Sequence, residues 1–274
     1  MHRKSYLLVT HLFFIIFIIM VLFPILYIIT VSFNKGGELF ASSLIPAAFT
    51  LQNYINLFTK TDFVIWIKNS IFISSTTAIL AVFLTSASAY AFSRFKFWGK
   101  KYTLTVFLII QLFPGIMSMV AIFKILQFLG LLDTHAGLIL VYLGWAVPFS
   151  TWMMKGYFDT LPKSLEDAAY IDGATRFKTY IKIMLPLAKP IMTVVVIYNF
   201  IGAYSDFALA AIALTTRSKY TLALGLRSFH ESAFSTNWPM FTAGALIGMI
   251  PILIAFFSAQ RYLIAGLTSG AVKN

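Results

Sequence analysis

Six stretches of this chain run for roughly twenty residues with no more than one Asp, Glu, Lys or Arg, and nothing else in it constrains the fold as much. They are Leu7–Phe33, Asn69–Ser93, Tyr102–Phe123, Ala136–Met154, Ile191 to about Ala213, and a run inside Ser232–Gln260 beginning near Trp238. In lipid each such run has to satisfy its own backbone hydrogen bonds, which an α-helix does. The first follows His2-Arg3-Lys4, is too long for a signal-peptide core and lacks a cleavage site, so it reads as an uncleaved span. Pro114-Gly115 predicts a kink or break in the third. The fifth is interrupted by Asp206, and the sixth carries Pro251.

Composition agrees, with 59% hydrophobic and only 11% charged residues. The formal net charge of +12 does not point to nucleic acid, because the basic residues are spread over short loops instead of one aromatic-rich patch. There is no cysteine, which excludes disulfides and thiolate metal sites. Arg94-Phe95-Lys96-Phe97-Trp98-Gly99-Lys100-Lys101 carries four basic residues and no acidic one, a cytoplasmic marker. Six crossings with both termini cytoplasmic put most of the 21 lysines and arginines inside. Asn34-Lys35-Gly36-Gly37-Glu38 and Thr50–Tyr54 then form an external loop.

Between the fourth and fifth runs lies the one long polar stretch on the predicted cytoplasmic side, Pro162 to Ala174. Ser164 and Asp167 have capping-box spacing, predicting a helix from Ser164 that stops at Gly173. Leu165, Ala168, Ala169 and Asp172 fall at i, i+3, i+4 and i+7, a face whose alanine centre lets a partner approach closely. The alternative is an interfacial loop with a fortuitous cap. A second helix is expected from Thr175, with Phe177, Tyr180, Ile181 and Met184 on one side and Arg176, Lys178 and Lys182 towards water or headgroups.

Asp167-Ala168-Ala169, Gly173, Ile183 and Leu185-Pro186 keep the spacing of the E-A-A-x3-G-x9-I-x-L-P signature, with Asp167 where Glu is usual. In this the chain resembles permease subunits of binding-protein-dependent ABC importers. Pro148-Phe149, Lys155–Phe158 and Tyr262–Lys273 resemble the carbohydrate branch, and the tail is similar to the smaller permease of maltose and maltodextrin importers. The resemblance covers nearly the whole chain. It implies an all-α permease fold over 1–274, with the first span and external loop in 1–68, the core in 69–263 and a cytoplasmic tail in 264–274. It implies a coupling helix whose contacts with an ATPase subunit involve Ser164, Leu165, Glu166, Asp167, Ala168, Ala169, Asp172, Gly173, Ile183, Leu185 and Pro186. The implied partners are a second homologous permease, two ATP-binding subunits holding ATP and Mg, an extracytoplasmic sugar-binding protein and the lipid of a bacterial inner membrane. No cofactor or metal is expected on this chain, and a maltodextrin-like sugar is the expected cargo.

This chain has no phosphate loop of its own, since Gly99-Lys100-Lys101 lacks the upstream glycine and the following hydroxyl. His230-Glu231 lacks the second histidine of a zinc-protease motif. Asn199, Tyr204 and Asp206 suit a sugar pathway by offering hydroxyl-matching groups beside aromatic faces. Asp206 equally suits a helix cap at the outer end of span five. Gly202, Ala203, Gly244, Ala245 and Gly248 read as close-packing positions, and Trp98, Tyr102, Trp152, Tyr157, Trp238 and Tyr262 as an aromatic belt. The rivals are an importer for another small solute such as glycerol phosphate or a different sugar, a secondary transporter and a membrane enzyme. The secondary transporter calls for repeated halves and paired intramembrane charges, the enzyme for clustered His, Asp or Glu, and the sequence has neither pattern. Cysteines placed singly by Lys100→Cys and Lys219→Cys are expected to be labelled from opposite faces of the membrane. Labelling of both from outside intact cells would overturn the topology.

Overall fold

The computed structural model describes residues 2–35, 48–113, 115–230 and 237–271, with backbone alone from 261 onward. Gly36, Gly37 and Glu38 of the expected external loop, Pro114, Glu231, and Val272 and Lys273 of the tail lie outside the described residues. Helices dominate: α1 (His2–Ser32), α2 (Gln52–Thr59), α3 (Phe63–Arg94), α4 (Lys100–Leu112), α5 (Gly115–Phe128), α6 (His135–Thr160), α7 (Ser164–Ile171), α8 (Arg176–Thr179), α9 (Leu185–Leu187), α10 (Lys189–Ser205), α11 (Ala208–Ala213), α12 (Leu222–Arg227) and α13 (Trp238–Ala271). Among the described residues four helices are long and apolar enough to cross a membrane, α1, α3, α6 and α13. Counting the bent pairs α4 with α5 and α8–α9 with α10 as one span each gives six.

The third run breaks as Pro114-Gly115 predicts, with α4 and α5 bent by 111° across it. One expectation needs correction. The fifth does not reach Ala213 as one helix: α10 ends at Ser205 because Asp206 turns extended, with ψ 133°, and the carboxylate begins a new helix. Asp206 Oδ2 accepts the amides of Leu209 and Ala210 at 3.0 and 3.1 Å, capping α11.

The chain divides into two compact units, 1–64 with 225–250, and 65–224 with 251–274. In the first, Asn53 Nδ2 donates to the carbonyls of Ser32 and Asn34, both at 2.9 Å, holding α2 against the end of α1. The side chains of α1 from Val9 to Leu26 are exposed, as suits a lipid-facing helix. Gly244 is a close-packing position, since a Cβ there would come within 2.5 Å of Leu226.

The second unit is strung along α3, whose 32 residues span roughly 48 Å and therefore exceed a hydrocarbon core of about 30 Å. Near its start, Ile73 packs with Leu138, Tyr142, Ala203 and Ala210, and near its end, Ala89 and Tyr90 pack with Met154, Phe158, Met184 and Val195. The loop after α11 is tied to the first of these ends. Asn69 Nδ2 donates to the carbonyls of Ser218 and Tyr220, both at 2.9 Å, and Trp66 Nε1 to that of Arg217 at 3.1 Å. Asp133, at φ 54°, accepts from the Thr215 and Thr216 amides and from Lys219 Nζ at 2.8 Å. Lys219 is therefore at one end of α3 and Lys100, just past Arg94, at the other, the arrangement expected of opposite membrane faces.

Burial pushes the Asp133 carboxyl upward, but hydrogen bonds from Lys219 and Thr216 outweigh it and hold the group well below the usual carboxylate range. Its folded pKa is depressed, so its stabilisation is fully present above the ordinary carboxylate pKa and is lost progressively as pH falls from there through the depressed folded value. Asp133→Asn is expected to lower stability by about 1 to 2 kcal/mol at neutral pH, a deficit that persists at about pH 5 and starts to shrink only below the ordinary carboxylate pKa of about 4, read from melting curves across that range.

Candidate functional site

A short helix projects beyond the end of α3 at Arg94. The start of α7 differs from the capping-box expectation. Lys163 occupies the N-cap place in helical conformation (φ −64°, ψ −27°), so Ser164 already lies in the first turn and its side chain caps nothing. The amides of Glu166 and Asp167 donate instead to the Lys163 carbonyl, at 2.9 and 3.0 Å. The far end follows expectation. Gly173 takes φ +78°, its amide donates to the Tyr170 carbonyl at 3.0 Å, and that of Ala174 reaches back to Ala169 at 2.9 Å. This is the Schellman closure, which needs a residue in the left-handed region.

What orients α7 was not foreseen. Glu166 turns inward and pairs with Arg94 at the end of α3, and both side chains are less than a tenth exposed. Tyr90 Oη donates to Glu166 Oε1 at 2.6 Å, and Arg94 Nη2 donates to the Leu161 carbonyl at 2.9 Å. The network continues through Ser93, whose hydroxyl donates to Asp159 Oδ1 at 2.6 Å, while Lys155 Nζ donates to Asp159 Oδ2. Tyr90 sits against Tyr180, with ring centroids 4.9 Å apart, and against Phe158 at 5.7 Å. Opposite charges enclosed together, with each guanidinium nitrogen giving a hydrogen bond to Glu166, Ser93 or Leu161, form a joint that is costly to break.

This joint revises the predicted face. Ala169 is buried beside Glu166, so the exposed residues of α7 are Ser164, Leu165, Asp167, Ala168, Tyr170 and Ile171, followed by Asp172 at the C-cap. Ile171 is 86% exposed, and beyond Gly173 Phe177 is 74% exposed. Phe177 and Ile181 thus do not share the buried side with Tyr180 and Met184. The backbone widens to a π-helical turn over Tyr180–Met184, and Tyr180, Met184 and Ala188 face the core at four-residue spacing. Thr175 caps α8, accepting the Lys178 amide at 3.3 Å. Ile183 and Leu185 pack against the core cluster, whereas Pro186 is exposed in α9. The signature residues therefore divide into an exposed set on α7 and a packing set behind it.

A second concavity lies deeper in this unit, a cavity of about 440 Å³ among α3, α4, α6, α10 and α11. Asn199 and Asp206 line it, and Tyr204, buried and stacked on Phe200, does not. Asn199 Nδ2 donates to Ser150 Oγ at 3.0 Å, and Asp206 accepts from Tyr142 Oη at 2.9 Å. Sequence reasoning missed Thr77, Gln111, Tyr142, Trp145, Phe149 and Tyr198, which also line it. An aromatic row at Tyr142, Trp145 and Phe149, spaced by three and four on α6, was the available signal. Gly202 also lines the cavity and a Cβ there would meet nothing, so close packing is not what it serves. The Thr77 hydroxyl is buried with no hydrogen-bond partner among the described residues.

Residues 81–269 match the model of the family described as binding-protein-dependent transport system inner membrane component. The chain is 38% identical over 259 residues to the galactooligosaccharides transport system permease protein GanQ of Bacillus subtilis (strain 168), covering 93% of this chain and 92% of that one. It is 32% identical to the maltodextrin transport system permease protein MdxG of the same organism, covering 97% and 95%. It is 36% identical to the maltose/maltodextrin transport system permease protein MalG of Escherichia coli (strain K12), covering 99% and 97%. In fold it is similar to a chain in the crystal structure of a bacterial ABC transporter involved in the import of the acidic polysaccharide alginate. The TM-score is 0.77 at 24% identity, with 94% and 96% of the two chains covered.

The joint at Arg94 generates a direct test. Glu166→Ala strands a buried guanidinium and is expected to cost about 3 to 5 kcal/mol, whereas Arg94→Met combined with Glu166→Met is expected to recover most of that loss. Thermal unfolding of the purified variants distinguishes the two.

Proposed function

Because the chain belongs to the family of inner membrane components of binding-protein-dependent transport systems, we propose that it is one of two permease subunits of an ATP-driven sugar importer, acting as one permease domain over 1–274. The observation that carries the mechanism is α7. It is a helix held rigidly on one side by Glu166 and presenting Leu165, Ala168 and Ile171 to solvent on the other. An exposed apolar patch with a small residue at its centre suits the groove of a partner. That partner is an ATP-binding subunit, of which the importer holds two, and ATP and Mg are bound there and not by this chain. Asp167 and Asp172 give the patch an acidic edge, and Gly173 fixes where the chain turns away.

In this reading the joint is a lever. Displacement of α7 by the ATP-binding subunits is passed through the Glu166–Arg94 pair to α3 and through Asp159 to α6. ATP drives the change only to the extent that it binds the outward-facing arrangement more tightly than the inward one. The cavity is this subunit's share of the sugar path. Aromatic faces at Trp145, Phe149 and Tyr198 beside the polar groups of Asn199 and Gln111 suit a sugar. The names of the relatives favour an oligosaccharide of the maltodextrin or galactooligosaccharide kind. The sugar is delivered by an extracytoplasmic binding protein, and both termini are cytoplasmic in a bacterial inner membrane.

The reading is tested by sugar-dependent ATPase activity of the reconstituted complex across a sugar panel, together with co-purification of the ATP-binding subunits. Gly173→Asp puts a side chain at φ +78°, a strain of roughly 1 kcal/mol, and charge beside the docking face. Ala168→Asp places charge at its centre. Both are expected to insert normally yet lose coupling, and Asp167→Glu is expected to be nearly silent. Normal assembly and coupling in both aspartate variants would show that α7 is only a connecting helix.

A further inference from the structure

The end of the unit that carries α7 holds a cleft for which the transport reading has no use. It opens between α4 and α6, has a volume of about 530 Å³, and changes character along its length. Its inner wall is apolar: Leu104 and Leu108 on one face of α4, against Trp152 of α6, whose indole N–H donates to the Leu104 carbonyl at 3.0 Å. Its mouth is cationic, with Lys96, Lys100, Lys101 and Lys155, and none of its lining residues is acidic. Lys155 is paired with Asp159, and Lys100 gives a hydrogen bond to the Phe95 carbonyl at 3.3 Å, while Lys96 and Lys101 are exposed. From Lys101 to Leu108 the helix rises about 10 Å, so the charges stand one headgroup's depth above the apolar wall.

We propose that this cleft is a binding site for an anionic phospholipid, with the headgroup phosphate among Lys96, Lys100 and Lys101 and an acyl chain along Leu104 and Leu108. Charge and shape carry the assignment together. Lysines gathered at the end of a membrane helix attract anionic headgroups, and the absence of a carboxylate in the lining leaves nothing to receive the ammonium of a zwitterionic one. The apolar wall continues onto the exposed face of α4 at Leu108 and Ile109, a surface suited to acyl chains. A soluble phosphate would use the lysines and leave that wall unused. The loop carrying Lys96 begins directly after Arg94, so the lipid would brace the segment that anchors α7.

The test is native mass spectrometry of the full chain extracted from bilayers of phosphatidylethanolamine and phosphatidylglycerol. Phosphatidylglycerol is expected to be retained in preference. The triple change Lys96→Gln, Lys100→Gln and Lys101→Gln is expected to reduce that preference about tenfold, and arginine at the same three positions to preserve it. Leu108→Trp, which fills the apolar wall and keeps the charges, is expected to lower lipid retention as well. Undiminished preference in the glutamine variant would overturn the proposal. So would displacement of the lipid by soluble glycerol phosphate, which would mark a site for free anions.

Discussion

The Arg94–Glu166 pair is the contact on which the rest of this architecture turns. A guanidinium and a carboxylate, each nearly sequestered from water, are tolerated only while both are present and their remaining hydrogen-bonding positions are filled. Tyr90 and the Leu161 carbonyl fill them. The consequence is mechanical. A helix of eight residues is too short to be stable by itself, yet α7 keeps one orientation because one of its side chains is fixed inside the end of the bundle. Its other face is thereby left outward, with Ala168 and Ile171 available.

The same logic organises the opposite end. Asp133 collects the amides of Thr215 and Thr216 and the Lys219 ammonium, while Asn69 collects the carbonyls of Ser218 and Tyr220. Irregular backbone next to a membrane must be satisfied by protein or water, and here one aspartate and one asparagine do much of it. Between the two ends the polar groups are few and each has a structural duty. Asp206 caps α11 and accepts from Tyr142 while also facing the cavity, so its role as a helix cap and its place in the lining are compatible. Among the described residues the hydroxyls of Thr77, on the cavity lining, and Thr151 are exceptions, buried without a hydrogen-bond partner.

Much of this was legible in the sequence, and the particulars say why. Uncharged runs announce helices because lipid leaves the backbone no other partner, and the basic cluster after Ser93 marks one membrane face. Gly173 announced the end of α7 because a left-handed turn is the place where glycine is favoured. The spacing from Asp167 to Pro186 carried the family, which residues 81–269 match.

Tertiary structure alone decided the directions in which side chains point. Glu166 and Asp167 are adjacent and chemically similar, yet one is buried and the other exposed, because Arg94 waits on one side only, 72 residues away. Ala168 and Ala169 divide in the same way. The π-helical turn at Tyr180–Met184 shifts the phase of everything after it, which no fixed period of 3.6 can foresee. The sequence by itself determined that this chain spans a membrane in helices and carries a short polar helix between two of them, since those follow from local chemistry. The cavity, the Arg94–Glu166 pair and the cationic cleft exist only once the helices lie side by side, because each is assembled from residues distant in the chain.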